Sequence, residues 1–163
     1  ECEQGIFNFL SQTANNNIYT SKVIDVKSSQ IEIGTIECLF DHSKDTYFRV
    51  MNSSERFILF DFKTSKVRFI KYFFSVPSSN TGASNGRPKT WKIEGSNDEQ
   101  HWDEIDSIEN DSSLNGYSKS NTFTCKSMNK NFYQFIRIKC FADHDNTNRF
   151  MFSEVEFYGS IKK

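Results

Sequence analysis

Arg87-Pro88-Lys89-Thr90-Trp91-Lys92-Ile93-Glu94-Gly95-Ser96-Asn97-Asp98, followed by Trp102 and Ile105, reads as two strands joined by a tight polar turn. Pro88 fixes its own φ in the extended range and biases Arg87 away from helix. Trp91 and Ile93 alternate with Lys92 and Glu94, the period of a half-buried strand, and Gly95 to Asp98 supplies residues that turns favour. A strand restarting at Trp102 completes a hairpin.

Strand patterns continue on both sides. Upstream, Val23-Ile24-Asp25-Val26 is a first strand, Phe57 to Phe62 is apolar on both faces as a central strand should be, and Val67 to Phe74 follows a turn at Lys63 to Lys66. Downstream, Asn121 to Cys125, Phe132 to Cys140 and Met151 to Tyr158 close the set. Ile136, Ile138 and Cys140 alternate with Arg137 and Lys139, and Val155 and Phe157 with Glu154 and Glu156, which predicts strands with one face buried and both glutamates in water. About eight strands with polar links predict an all-β antiparallel sandwich. Residues 13–163 form the expected domain, and residues 1–12 are a lead-in, either the end of a helix or a first edge strand. Ile31 to Phe48 reads as a long irregular link, Leu114-Asn115-Gly116 as a turn, and Pro77 to Pro88 as an exposed, mobile loop.

The hairpin segment resembles the "P-x-x-W-x-I-x-G-S-N-D-x-x-x-W" signature of the discoidin, or coagulation factor 5/8 type C, domain family. The likeness extends to Asp61-Phe62, Val67 and Tyr72 before it. After it come Leu114-Asn115, Phe123, Phe135-Ile136-Arg137-Ile138 and Ser153-Glu154-Val155-Glu156-Phe157-Tyr158-Gly159, so nearly the whole chain is covered. The resemblance implies a galactose-binding-like β-sandwich jelly roll that binds ligands through loops at one end, without naming the ligand.

The chain has 163 residues, enough for one domain with a core that needs no metal or disulfide. Seventeen phenylalanines predict an interior filled by large rings. Lys and Arg number 20 against 21 Asp and Glu, a net charge of −1, so nothing matches the basic footprint of a nucleic-acid binder. No apolar run is long enough to span a bilayer, and the first 20 residues lack the order of a secretory signal. Because the chain begins at Glu1-Cys2, it is expected to be part of a longer protein. Cys2, Cys38, Cys125 and Cys140 fit no zinc spacing. Many extracellular relatives in the family close the domain with a terminal disulfide, but Cys2 here would face Gly159 or Ser160. The missing bracket favours an intracellular over a secreted location.

The only histidines, His42, His101 and His144, sit in polar turns and assemble no evident nucleophile and base, so no enzyme is expected. Asp143 to Asn148 alternates carboxylates but lacks the Gly and distal Glu of an EF-hand loop. Galactose-binding relatives hold a structural Ca²⁺ with loop carbonyls, an Asp and a Glu, and the resemblance carries the side-chain roles to Asp41 and Glu154, although His42 stands where those relatives usually have Gly. No cofactor is otherwise required. In membrane-binding relatives the end loops carry apolar spikes, which Ser78 to Arg87 lacks, so membrane binding is not expected despite Ile31, Ile33 and Ile36. A sugar site needs an aromatic platform and planar polar groups. Asn85 and Arg87 are the candidates for the polar part, with His42 and Arg49 opposite and Tyr47 or Phe48 as platform. The expected function is a non-catalytic binding module that recognises a protein partner through its end loops. The alternative is a lectin-like module for galactose-type carbohydrate.

Overall fold

The computed structural model describes residues 5–51, 55–127 and 130–163. Cys2 and the disulfide question attached to it lie outside these residues. One helix, α1 (Ile6–Ala14), precedes eleven strands. They are β1 (Asp25–Ser28), β2 (Gln30–Ile33), β3 (Phe48–Met51), β4 (Arg56–Asp61), β5 (Lys66–Ser75), β6 (Pro88–Ser96), β7 (Asp103–Ile108), β8 (Ser120–Thr124), β9 (Phe135–Asp143), β10 (Arg149–Phe152) and β11 (Glu154–Lys162). The decisive hairpin is β6 against β7, and β9 pairs with the other side of β6. The resulting sheet has the order β1-β4-β9-β6-β7. Two three-stranded sheets, β11-β5-β8 and β10-β3-β2, complete the sandwich, and every pairing is antiparallel.

The interior is aromatic, as the phenylalanine content predicts. Trp91 is fully buried and meets Phe74 and Phe123 at 5.4 and 5.1 Å between ring centroids. Its indole N–H donates to the Tyr72 hydroxyl at 3.1 Å, and Tyr72 donates to the buried Asp106, so the polar edges of both rings are satisfied in a dry core. A second cluster joins Phe7, Phe40, Phe60 and Phe157. Gly95 of the signature is required by packing, since a Cβ there would stand 2.5 Å from the Tyr133 ring.

Three expectations are corrected and one open choice is settled. Eleven strands replace about eight, because the span from Ile31 to Phe48 is bounded by two short strands, β2 and β3. The Met151 to Tyr158 run also divides at the fully buried Ser153, where β10 pairs with β3 and β11 with β5. The open choice for the first residues resolves as helix. Glu156 is 6% exposed and not in water, because α1 covers that face of β11. Its carboxylate accepts the Phe7 and Asn8 amides at 2.8 and 3.0 Å, two of the helix N–H groups that have no partner within the helix. Gly5 allows this approach, since a Cβ would stand 2.4 Å from the Glu156 carboxyl carbon. Finally, the loop from Pro77 to Pro88 is half-buried and not an exposed strap. Ser78 donates its amide to the Lys44 carbonyl and its hydroxyl to Asp45, and Arg87 is buried.

Candidate ligand site at the end loops

The small sheet β10-β3-β2 places one charged side chain from each strand side by side. Arg49 of β3 donates through Nη2 to Glu32 Oε1 at 2.9 Å, and Arg149 of β10 donates through Nε to Glu32 Oε2 at 2.7 Å. Glu32 of β2 is thus held between two guanidinium groups. Burial pushes its pKa up, but the bonds to Arg149 and Arg49 outweigh that and hold the carboxyl below the usual range. Arg49 is nine-tenths buried, and its Nε has no hydrogen-bond partner.

The loop before β6 closes over this cluster. Arg49 Nη1 donates to the Asn85 carbonyl at 3.2 Å, while from the other side Arg87 Nη1 donates to the Ser84 carbonyl at 2.8 Å. Arg87 also donates Nε to the Gly116 carbonyl and pairs with Asp145 at 3.4 Å. Two arginines therefore grip successive carbonyls of one short segment. Gly86, with φ +105°, turns the chain next, and its carbonyl accepts the Met151 amide. The Asn85 carboxamide makes no hydrogen bond among the described residues.

Of the residues singled out from sequence, Arg49 and Asn85 meet, and Arg87 grips the far side of the same loop. His42 belongs to a different cluster, with Nδ1 3.1 Å from Glu154 Oε1. Phe48 is fully buried and cannot be a platform. The Tyr47 ring lies 6.0 Å from the Arg49 guanidinium carbon, and Tyr117, which is 44% exposed, carries the Arg87 guanidinium 5.0 Å from its ring centroid. Sequence reading missed Glu32, Arg149 and Tyr117. A charge set between Ile31 and Ile33 was the available signal for Glu32.

Each calcium candidate is engaged with a neighbour. Asp41 accepts the Ser43 amide and the Thr46 hydroxyl within its own turn, and Glu154 faces the His42 imidazole. Among the described residues, no group of three His, Cys, Asp or Glu side chains is placed to hold a metal ion. His42 occupies the left-handed region at φ +58°, the conformation for which Gly is suited. His101 pairs with Asp98 at 2.7 Å in the exposed hairpin turn. Among the described residues, the His144 Nε2 has no hydrogen-bond partner. Trp91 is core, and Trp102 packs on the hairpin beneath Arg137, whose guanidinium carbon lies 3.8 Å from its ring centroid. No helix among the described residues is long and apolar enough to cross a membrane.

Comparison with solved structures finds the same fold. The module CpGH89CBM32-5 from Clostridium perfringens, solved in complex with GalNAc-β-1,3-galactose, aligns with a TM-score of 0.66 at 13% identity over 85% of this chain and 96% of that one. The family 32 carbohydrate-binding module of C. perfringens NanJ, solved in complex with galactose, gives 0.61 at 9% identity over 86% and 95%. The C-terminal domain of a chitobiase from Bacteroides fragilis gives 0.63 at 14% identity over 86% and 96%. No curated protein matches by sequence. The family model of the F5/8 type C domain matches residues 23–155. The hairpin signature, the antiparallel sandwich and this match together establish that the chain belongs to the F5/8 type C domain family.

Proposed function

We propose that this chain is a non-catalytic, lectin-like module that binds galactose-type saccharide at its end loops. The observation that carries the reading is the Glu32–Arg49–Arg149 cluster under Asn85. It places planar groups in fixed positions beside an uncommitted carboxamide, the arrangement that takes sugar hydroxyls in pairs. The saccharides held by structurally similar modules support the ligand class. Recognition of a protein partner, the first expectation from sequence, has no comparable support in those likenesses. Calcium enters no step: we propose that the module folds and binds without it.

Calorimetric titration with galactose and with GalNAc-β-1,3-galactose, with calcium and with chelator, is the test. Saturable binding that survives chelation and is lost in Arg49→Ala supports the reading. Absence of binding to either sugar, with a specific protein captured instead, would replace it by the protein-partner reading.

A further inference from the structure

Phe141 lies on the outer face of the five-stranded sheet and is 51% exposed. Its position is set by an irregularity in the backbone. Thr90 pairs with Ala142 and Trp91 with Cys140, so Phe141 is an extra residue of β9 without a register partner on β6. Such bulges re-aim side chains and recur beside binding sites. The ring stands between two open clefts. One, of about 280 Å³, is lined by Thr90, Lys92, Ser107, Ile108 and Glu109. The other, of about 360 Å³, is lined by Glu55, Arg56, Lys139 and Cys140.

The surrounding charges identify what such a surface can take. Lys139 pairs with Glu55 at 2.7 Å, Arg137 with Glu94 at 3.1 Å and Lys92 with Glu104 at 3.5 Å. The face therefore carries alternating signs already matched, which gives neither a polyanion nor a polycation a field to follow. One ring among ion pairs also buries too little apolar area for a stable protein interface. What remains is one half-exposed ring, with the Lys92 ammonium 5.8 Å from its centroid, flanked by hydrogen-bond donors and acceptors of both kinds. That combination suits a neutral pyranose, with a C–H face for the ring and hydroxyls for Lys92, Glu109 and Lys139.

We propose that the outer sheet face around Phe141 is a second saccharide-binding platform for neutral oligosaccharide, independent of the end-loop site. The probe is lacto-N-neotetraose, a neutral galactose-capped tetrasaccharide, titrated into isotopically labelled protein with amide shifts followed by NMR. Two groups of shifts are expected, one at Arg49 and Asn85 and one at Lys92, Ser107 and Phe141. Phe141→Ala should weaken the sheet-face group about tenfold and leave the loop group intact. Arg49→Ala should do the reverse, and Phe141→Trp should keep both. The Phe141→Ala fold is checked by its retained spectrum away from the face. Shifts confined to the loops would overturn the platform and leave the end-loop reading standing. Shifts confined to the sheet would overturn the end-loop reading alone. No shifts anywhere, or a sheet face that proves to be a dimer contact broken by Phe141→Ala in sedimentation, would overturn the platform.

Discussion

Trp91 and Tyr72 are joined by a hydrogen bond of 3.1 Å across the sandwich, and the tyrosine passes the bond on to Asp106. Burial and the Asp106 bond push the Tyr72 phenol far above its ordinary range, so it stays protonated and can donate at any working pH. Asp106 Oδ1 also accepts the Lys126 amide. Tyr72→Phe would strand the indole N–H and remove a donor from a buried carboxylate, costing about 2–4 kcal/mol. Urea unfolding followed by tryptophan fluorescence measures this, and a change below about 0.5 kcal/mol would show that the chain of bonds carries no stability.

Glu156 should make stability depend on pH in the direction opposite to a surface carboxylate. Burial raises its pKa from 4.5 to about 7, against the lowering effect of the Phe7, Phe157 and Asn8 amides. Between these values the folded chain holds a proton that the unfolded chain has released. Stability should therefore be greatest below about 4.5 as far as this group is concerned, fall as pH rises towards 7 and level off above, by roughly 3 kcal/mol in all. Thermal unfolding of the wild type and Glu156→Gln across this window checks it. The Gln variant should lack the slope, and faster amide exchange at Phe7 and Asn8 should mark a loosened α1.

His42 gives a prediction of gain. Its φ of +58° is strained for a side chain with Cβ, and the contact it makes to Glu154 is half exposed. His42→Gly should stabilise the fold by about 1 kcal/mol, raising Tm by about 2–4 °C. A lower melting temperature would mean that the Glu154 contact outweighs the backbone strain.

Arg49→Lys tests the shape of the guanidinium. A single ammonium cannot reach Glu32 and the Asn85 carbonyl as two separate planar donors do. Galactose binding by calorimetry should weaken about tenfold or more while the folded spectrum persists. Binding equal to wild type would remove Arg49 from the site.

The fold was legible because its evidence is local. Alternation at Trp91 and Ile93, the Gly95 to Asp98 turn and the double-sided Phe57 to Phe62 run each report burial within a few residues of chain. What escaped depends on distant partners. The alternation around Val155 and Phe157 puts Glu156 in water unless one knows that α1 lies across it, 149 residues away in sequence. Arg49 and Asn85 stood out as polar residues in end loops, but nothing in their spacing tells that Glu32 and Arg149 meet at the same place. Phe48 and Tyr47 are adjacent in sequence, and only the pairing of β3 decides which of them is core.

The double arginine grip on Ser84 and Asn85 has an engineering consequence. Grafting a foreign recognition segment between Ser78 and Gly86 would displace the carbonyl acceptors of Arg49 and Arg87 together, leaving Arg49 with Glu32 and Arg87 with the Gly116 carbonyl and Asp145. Diversification of specificity in this scaffold must then proceed by side-chain exchange on a retained backbone, or by transplanting the loop with both of its anchors.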